Sequence, residues 1–186
     1  MDWKKQLKQL EDAKCWDPAI ELMQKVIAEN PDNLDAYLAM NYLLMNLLVE
    51  EDHDATFKHD YYAALTKKYF DESYAKFSDN PEYLYYTGRT AYMSEWYFDI
   101  SREKAREMLE RSTYLDPNNP IYQWNYYDSL NIENPDDKKK LTAYTKMILE
   151  PNSCISKILK SQGSLGEYIL EMMIHWAGRI LHEPAY

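Results

Sequence analysis

The amino-acid sequence predicts an all-α protein built from stacked helical hairpins, an α-solenoid. Three observations lead to this fold class. Only 4 of the 186 residues are Gly and 8 are Pro, which disfavours a turn-rich all-β chain. Apolar residues recur at steps of three and four, as they do on one face of a helix. Pro residues follow these runs, and the last interval between them matches the roughly 34 residues of a helix–turn–helix repeat, whereas the others fit this period with insertions.

The Pro residues mark the predicted ends of the repeats. Asn30-Pro31, Asn80-Pro81, Asp116-Pro117 and Glu150-Pro151 follow one another at intervals of 50, 36 and 34 residues. Pro lacks the backbone donor and clashes with the preceding turn, so a helix stops before it. The widest interval contains the charged segment Glu50–Tyr61, which we interpret as an acidic insertion near residues 50–60.

The helices are predicted from their apolar spacing in chain order: Asp17–Pro31, Asn33–Leu48, Pro81–Tyr97, Arg102–Pro117 and Asn119–Leu130. Asp17 and Ser101 are the predicted N-caps of the first and fourth of these helices, because their side chains can accept from free backbone N–H groups. Pro135 is predicted to begin a further helix.

Two closing helices are predicted over Ser153–Gln162 and Ser164–Leu181. Ser164 and Glu167 have the spacing of a capping box. Earlier in the chain, Gly88 lies in the middle of a predicted helix, where Gly costs roughly 1 kcal/mol relative to Ala. We therefore predict that two helices cross closely at Gly88.

The pattern resembles the tetratricopeptide repeat family. The matching residues are Trp3, Ala19 and Pro31 in a first unit, Tyr37 and Asn41 in a second, and Gly88, Ala105, Leu109 and Pro117 in a third. The resemblance covers roughly residues 1–150. It implies a single domain over 1–186, a right-handed superhelix of about four antiparallel hairpins closed by capping helices in 151–186. Tyr69 and Lys139 depart from the pattern, because each stands where a small residue is expected.

In such a solenoid the first helix of each unit lines a concave groove. Positions on these helices that avoid the predicted core are Lys4, Lys8, Leu38, Tyr42, Met45, Tyr85, Arg89, Trp124 and Asp128. Tyr, Trp, Met and Arg are enriched in protein–protein interfaces. We expect Tyr42, Tyr85 and Arg89 to be exposed in the groove, whereas Trp124 fits the core equally well. The groove would bind a peptide or loop with an apolar centre and some negative charge.

One known mode of binding in the resembled family is not expected here. Some relatives grip a C-terminal carboxylate with a clamp of Lys, Asn and Arg side chains. Lys4 and Lys8 fit the first part of this clamp, but the expected Asn is Ala39. Glu82 and Tyr86 stand at the two positions where the clamp would have its next basic residues, so the clamp is incomplete.

The sequence predicts no catalytic, cofactor or metal site. His53 and His59 have no zinc-motif spacing. The segment Gly163-Ser164-Leu165-Gly166 does not match a nucleophile elbow. We therefore expect a non-catalytic interaction module, an adaptor or chaperone-like protein that binds another protein. The alternative is an acidic immunity-type inhibitor of a cationic toxin or nuclease.

The net charge and the composition indicate which classes of binding partner are expected. The chain has 31 acidic and 21 basic residues, a net charge of −10, which argues against nucleic acid and anionic membranes and would suit a basic protein. The content of 18 Tyr is compatible with a homodimer. Cys15 and Cys154 are predicted to be reduced thiols, and no apolar signal segment begins the sequence, so we expect a cytoplasmic protein.

Overall fold

Helix is the only regular secondary structure in the residues that the computed structural model describes, which are 2–51, 58–130, 134–150 and 153–182. The predicted all-α class is confirmed for these residues. These described residues form eleven helices: α1 (Trp3–Asp12), α2 (Trp16–Glu29), α3 (Leu34–Val49), α4 (His59–Phe77), α5 (Pro81–Tyr92), α6 (Glu95–Phe98), α7 (Arg102–Leu115), α8 (Pro120–Ser129), α9 (Pro135–Leu149), α10 (Cys154–Ser161) and α11 (Ser164–His182).

Most helix starts follow from local side-chain chemistry. The side chains of Asn33, Asn80, Asn119 and Asn134 each accept from a backbone N–H in the first turn of the helix that follows. Pro occupies the first position of α5, α8 and α9, where its missing donor costs nothing. Ser101 caps α7 as predicted, by accepting from the backbone N–H of Lys104.

Asp17 is not the N-cap of its helix, because α2 already begins at Trp16. The Asp17 carboxylate instead accepts from Lys58 Nζ at 2.8 Å and from the Tyr62 hydroxyl at 2.7 Å. Both hydrogen bonds lower the pKa of Asp17, and the one from Lys58 has the larger effect. Glu51 accepts from Lys14 Nζ at 2.7 Å, so one described flank of the predicted acidic insertion contacts the α1–α2 connection and the other contacts the first turn of α2. The rest of that insertion, 52–57, lies outside the described residues.

The predicted helix Pro81–Tyr97 is divided in the structure. α5 ends at Tyr92, and the short α6 follows with Phe98 fully buried at its end. Asp99 then adopts a left-handed conformation with φ 54°. The break accounts for the extra residues that separate Gly88 from Ala105 in the third repeat-like unit.

Neighbouring helices pack in pairs: α1 with α2, α3 with α4, α5 with α7, α8 with α9, and α10 with α11. Contacts of α2 with α3, α3 with α5, and α7 with α8 join successive pairs. Two apolar clusters fill the interior, one mainly between α1 and α4 and the other between α3 and α11. The superhelical arrangement of the pairs stays a prediction.

The predicted close crossing at Gly88 is confirmed. A Cβ at this position would lie 3.1 Å from Met108 Cβ and 3.3 Å from the Ala105 carbonyl oxygen. α5 and α7 therefore approach more closely at this point than a larger residue would allow.

Candidate partner-binding face

α11 covers one face of the protein. This face is formed by side chains of α1, α3 and α5, several of which the sequence predicts to line the groove. Lys8 Nζ is 3.1 Å from Glu167 Oε2. The ring centroids of Tyr42 and Tyr168 are 5.6 Å apart. Arg89 Nη2 donates to the Met172 sulfur at 3.0 Å, and the Tyr168 hydroxyl donates to the Met93 sulfur at 2.9 Å. We call Lys8, Glu11, Tyr42, Arg89 and Met93 the α11-binding face.

The first turn of α11 is attached to α1 by polar contacts. The Ser164 hydroxyl donates to Glu11 Oε2 at 2.5 Å. Burial raises the pKa of Glu11, although the Ser164 hydrogen bond and the positive charge of Lys8 act in the opposite direction. Just before α11, Gln162 Nε2 donates to Glu82 Oε1 at 2.9 Å, which links the α10–α11 turn to α5.

The apolar side of α11 is buried against the rest of the protein. Its buried side chains recur at steps of three and four and are Leu165, Ile169, Leu170, Met173 and Ala177. Tyr168, Met172 and Trp176 are partly buried beside them. This stripe is wide because α11 packs on α9 and α10 as well as on the α11-binding face.

A buried ion pair lies beneath the middle of α11. Arg89 Nη1 is 2.5 Å from Asp128 Oδ2, and the two side chains are only 9% and 11% exposed. The Arg89 guanidinium also lies 5.9 Å from the centre of the Trp124 ring. Among the described residues, Arg89 Nε has no hydrogen-bond partner, and Nη2 contacts only the Met172 thioether, a weak acceptor.

The expected exposure of the groove residues is wrong for most of them. Leu38, Met45 and Tyr85 are at most 2% exposed, Tyr42 and Arg89 are each 7% exposed, and Trp124 is fully buried. The Tyr85 ring packs against Tyr86 and Tyr122, with centroids 4.6 and 4.8 Å away. The physical reason is that α11 and neighbouring aromatic rings cover these helices, whereas the sequence pattern treats them as an uncovered inner wall.

The remaining predicted site residues are divided between the core and the surface. Trp124 is a core residue, because its Nε1 donates to the Thr145 hydroxyl of α9 at 2.8 Å. Lys4 and Lys8 remain partly exposed, and Lys4 Nζ pairs with Asp35 at 2.6 Å. Asp128 contributes to the α11-binding face only through its pair with Arg89.

Sequence reasoning missed the residues that belong to the occupant of the face. Glu167, Tyr168 and Met172 were not candidates, because α11 was assigned a capping role only. A signal was present: Tyr168, Met172 and Trp176 repeat at steps of four beside the buried stripe of α11. These side chains widen the apolar side of α11 beyond the buried stripe and indicate a second contact surface on this helix.

The far end of the α11-binding face is open to solvent. A cleft of about 370 Å³ adjoins Arg89 there and is lined by Arg89, Tyr92, Met93, Glu95, Trp96, Arg102 and Asp128. The Arg102 guanidinium lies over the Tyr92 ring at 4.5 Å, and Trp96 is 61% exposed. α11 therefore leaves this end of the face accessible.

The described part of the chain contains no group of residues that would form a metal site and no membrane-spanning helix. No three His, Cys, Asp or Glu side chains there come together as metal ligands. His59 contacts the Tyr97 hydroxyl at 2.9 Å, and His53 lies outside the described residues. No described helix is long and apolar enough to cross a lipid bilayer.

The sequence matches no family model and no curated protein. The resemblance to tetratricopeptide repeats therefore stays a prediction that depends on the residues quoted for it.

Proposed function

We propose that this chain is a non-catalytic protein–protein interaction module, adaptor-like or chaperone-like, that binds a segment of a partner protein on the α11-binding face. The observation that carries this proposal is α11 itself. It contacts the first helices of three predicted repeat units, because Glu167 pairs with Lys8, Tyr168 packs on Tyr42, and Met172 accepts from Arg89. A face that accommodates one amphipathic helix has the shape and chemistry to accommodate another.

In this proposal the partner segment takes the place of α11. α11 comes after the pairs α1/α2 to α8/α9 in the chain and joins α10 through a turn at Gly163, whose φ is +67°. Its departure would leave the contacts among those pairs in place. The charged side chains of the face all have polar partners: Lys8 pairs with Glu167, Glu11 accepts from Ser164, and Arg89 pairs with Asp128, which supports binding rather than catalysis.

Affinity capture from the host lysate tests the proposal with two charge-matched variants. The face variant is Lys8→Glu/Met93→Glu. The control is Lys25→Glu/Met147→Glu, which makes the same charge changes on α2 and α9, where Lys25 and Met147 are 73% and 51% exposed. We expect proteins captured by the natural sequence and by the control to be lost with the face variant. Unchanged capture by a face variant of normal helicity would contradict the proposal.

The alternative function, an acidic inhibitor of a cationic toxin or nuclease, is favoured by one observation, the net charge of −10. Association would then slow with added salt, because charge steering is screened. Deletion of residues 51–59 would weaken capture more than the face variant does. A partner lost only in that deletion would favour the inhibitor over the adaptor. For either role we propose a cytoplasmic location, where the exposed thiols of Cys15 and Cys154 stay reduced.

A further inference from the structure

We propose that α11 is an internal competitor that imitates the partner. The partner's segment is then an amphipathic helix with the pattern of α11, improved by an oxygen acceptor at the position of Met172. This inference rests on the proposed function and deepens it, because it names the chemistry of the bound segment and the way in which the chain controls access to its own face.

The apolar requirement can be read from α11. Leu165, Ile169 and Met173 are each at most 3% exposed and recur at steps of four. A segment that replaces α11 must cover the same surface, since removal of α11 uncovers apolar side chains such as Tyr42. Burial of apolar area is the main favourable term in such helix-in-groove complexes.

The charge requirement comes from Lys8. Its ammonium group pairs with Glu167 of α11 and also with Asp12 of its own helix, both at 3.1 Å. An acidic residue at the Glu167 position of an incoming helix would form the same cross-helix pair. This pair fixes the register and direction of the helix more than its affinity, because exposed ion pairs contribute little free energy.

The improvement over α11 comes from Arg89. The residue is 7% exposed, yet its Nη2 contacts only a thioether, and its Nε has no partner among the described residues. Buried donors without strong acceptors are costly. A partner helix with Gln, Asn, Asp or Glu in place of Met172 would supply an oxygen acceptor that α11 lacks. The open cleft beside Arg89 leaves room for such a side chain.

Competition within one chain sets the apparent affinity. A short tether gives α11 a millimolar effective concentration, so a free helix binds only as often as the face is vacant. Changes that weaken α11 but leave the face intact should therefore tighten the binding of an external helix. A structural capping helix would give no such increase.

The probe is a fluorescein-labelled synthetic peptide with the sequence of residues 164–182, titrated into three full-length chains. The first is the natural chain. The second is Tyr168→Ala/Met172→Ala, which removes contacts with Tyr42, Met93 and Arg89. The third is the control Glu171→Ala/His175→Ala, with the same spacing on the exposed side of α11. We expect the peptide to bind the second chain about tenfold more tightly than the other two.

Two variant peptides and a hydrogen-exchange measurement complete the test. A peptide with Met172→Gln should bind the second chain several-fold more tightly than the natural peptide, and one with Ile169→Asp and Met173→Asp should not bind. Hydrogen exchange in residues 164–178 of the natural chain should rise when the peptide saturates it. If the double variant loses helicity, the single change Tyr168→Ala in the chain replaces it, because it removes the contacts with Tyr42 and Met93.

Equal peptide affinity for all three chains, or no rise in hydrogen exchange, would overturn the inference. Weaker binding of the Met172→Gln peptide would overturn the part that concerns Arg89. A second chain that becomes a dimer by light scattering would identify a second copy as the occupant and overturn the claim for a different partner. The proposed function fails separately, when the lysate capture does not depend on the α11-binding face.

Discussion

Two ends of the α11-binding face use the same kind of interaction in different surroundings. At the start of α11, Lys8 and Glu167 form an ion pair across two helices, and their side chains are 43% and 48% exposed. Under the middle of α11, Arg89 and Asp128 form an ion pair with side chains only 9% and 11% exposed. The first pair joins α11 to the face, whereas the second joins Arg89 of the face to Asp128 of α8.

The difference in burial distinguishes the contact that attaches α11 from the contact that holds α5 and α8 together. Water screens the exposed pair, so its contribution to the free energy of docking is small. The buried pair is shielded, and removing one partner leaves an uncompensated charge. The pair between α5 and α8 therefore does not depend on α11, whereas the charge pair that joins α11 to the face is easily broken.

The largest expected effect is the loss of the buried pair. Asp128→Ala should lower the free energy of unfolding by about 3–5 kcal/mol, because Arg89 would stay buried without its counter-charge. Urea denaturation measures this change. The matched control is Asp79→Ala, which removes the partner of Arg111 on the surface, where the Asp79 side chain is 85% exposed, and should cost less than about 1 kcal/mol. Equal losses for the two variants would contradict the contrast between the ends of the face.

A second prediction concerns the tight start of α11. A Cβ at Gly166 would lie 1.7 Å from the Leu159 carbonyl oxygen, so Gly166→Ala must displace α11 from α10. We expect a loss of about 1–3 kcal/mol, as for overpacked sites. The control, Gly178→Ala in the same helix, has no neighbour within 4 Å and should stabilise the protein by about 0.5–1 kcal/mol. Thermal unfolding followed by circular dichroism distinguishes the two, and a stable Gly166→Ala protein would show that α11 has room to shift.

A smaller effect is expected from the exposed pair. Lys8→Ala should cost less than about 1 kcal/mol in low salt, and the cost should shrink further as salt is added, because screening acts on exposed charges. Urea denaturation at two ionic strengths measures it. A loss that is as large as that of Asp128→Ala, or that does not depend on salt, would contradict the assignment of this pair to attachment.

The smallest expected effect is on pH dependence. Burial raises the pKa of Glu11 above its ordinary value of 4.5, with Lys8, Asp12, Glu167 and Ser164 as its neighbours. The folded state then holds the proton more tightly than the unfolded state, so this contribution to stability is present below pH 4.5 and is lost as the pH rises through the raised pKa. Glu11→Gln should match the natural chain at pH 4 and gain relative to it at pH 7. Thermal unfolding at both pH values checks the sign, which would be reversed if Glu11 were stabilised as a carboxylate.

Features of the fold with local causes could be predicted from the sequence. Helix starts are set within a single helix, by Asn or Ser before the start and by Pro at the first position. The contact of Gly88 with Ala105 likewise involves only one helix crossing. The end of α5 at Tyr92 could not be predicted in this way. The run up to Tyr97 keeps a helical pattern, and the left-handed residue after α6 is Asp99 rather than Gly.

The position of α11 depends on tertiary contacts that periodicity does not encode. A helical pattern shows which side of α11 is apolar, but it does not show which surface that side covers. Ser164 and Glu167 illustrate the limit, because their capping-box spacing predicts contacts within α11, whereas in the structure their side chains contact Glu11 and Lys8 of α1. For the same reason the sequence identified Lys8, Tyr42 and Arg89 as one face but missed what lies on it.

The buried pair between Arg89 and Asp128 also has a kinetic consequence. The α11-binding face is already formed before a ligand arrives. Ligand binding is therefore limited by the departure of α11 and not by assembly of the face. The observed association rate of any ligand that needs the whole surface should therefore rise with concentration at first and then reach a plateau. The height of that plateau equals the spontaneous departure rate of the helix and is the same for every such ligand.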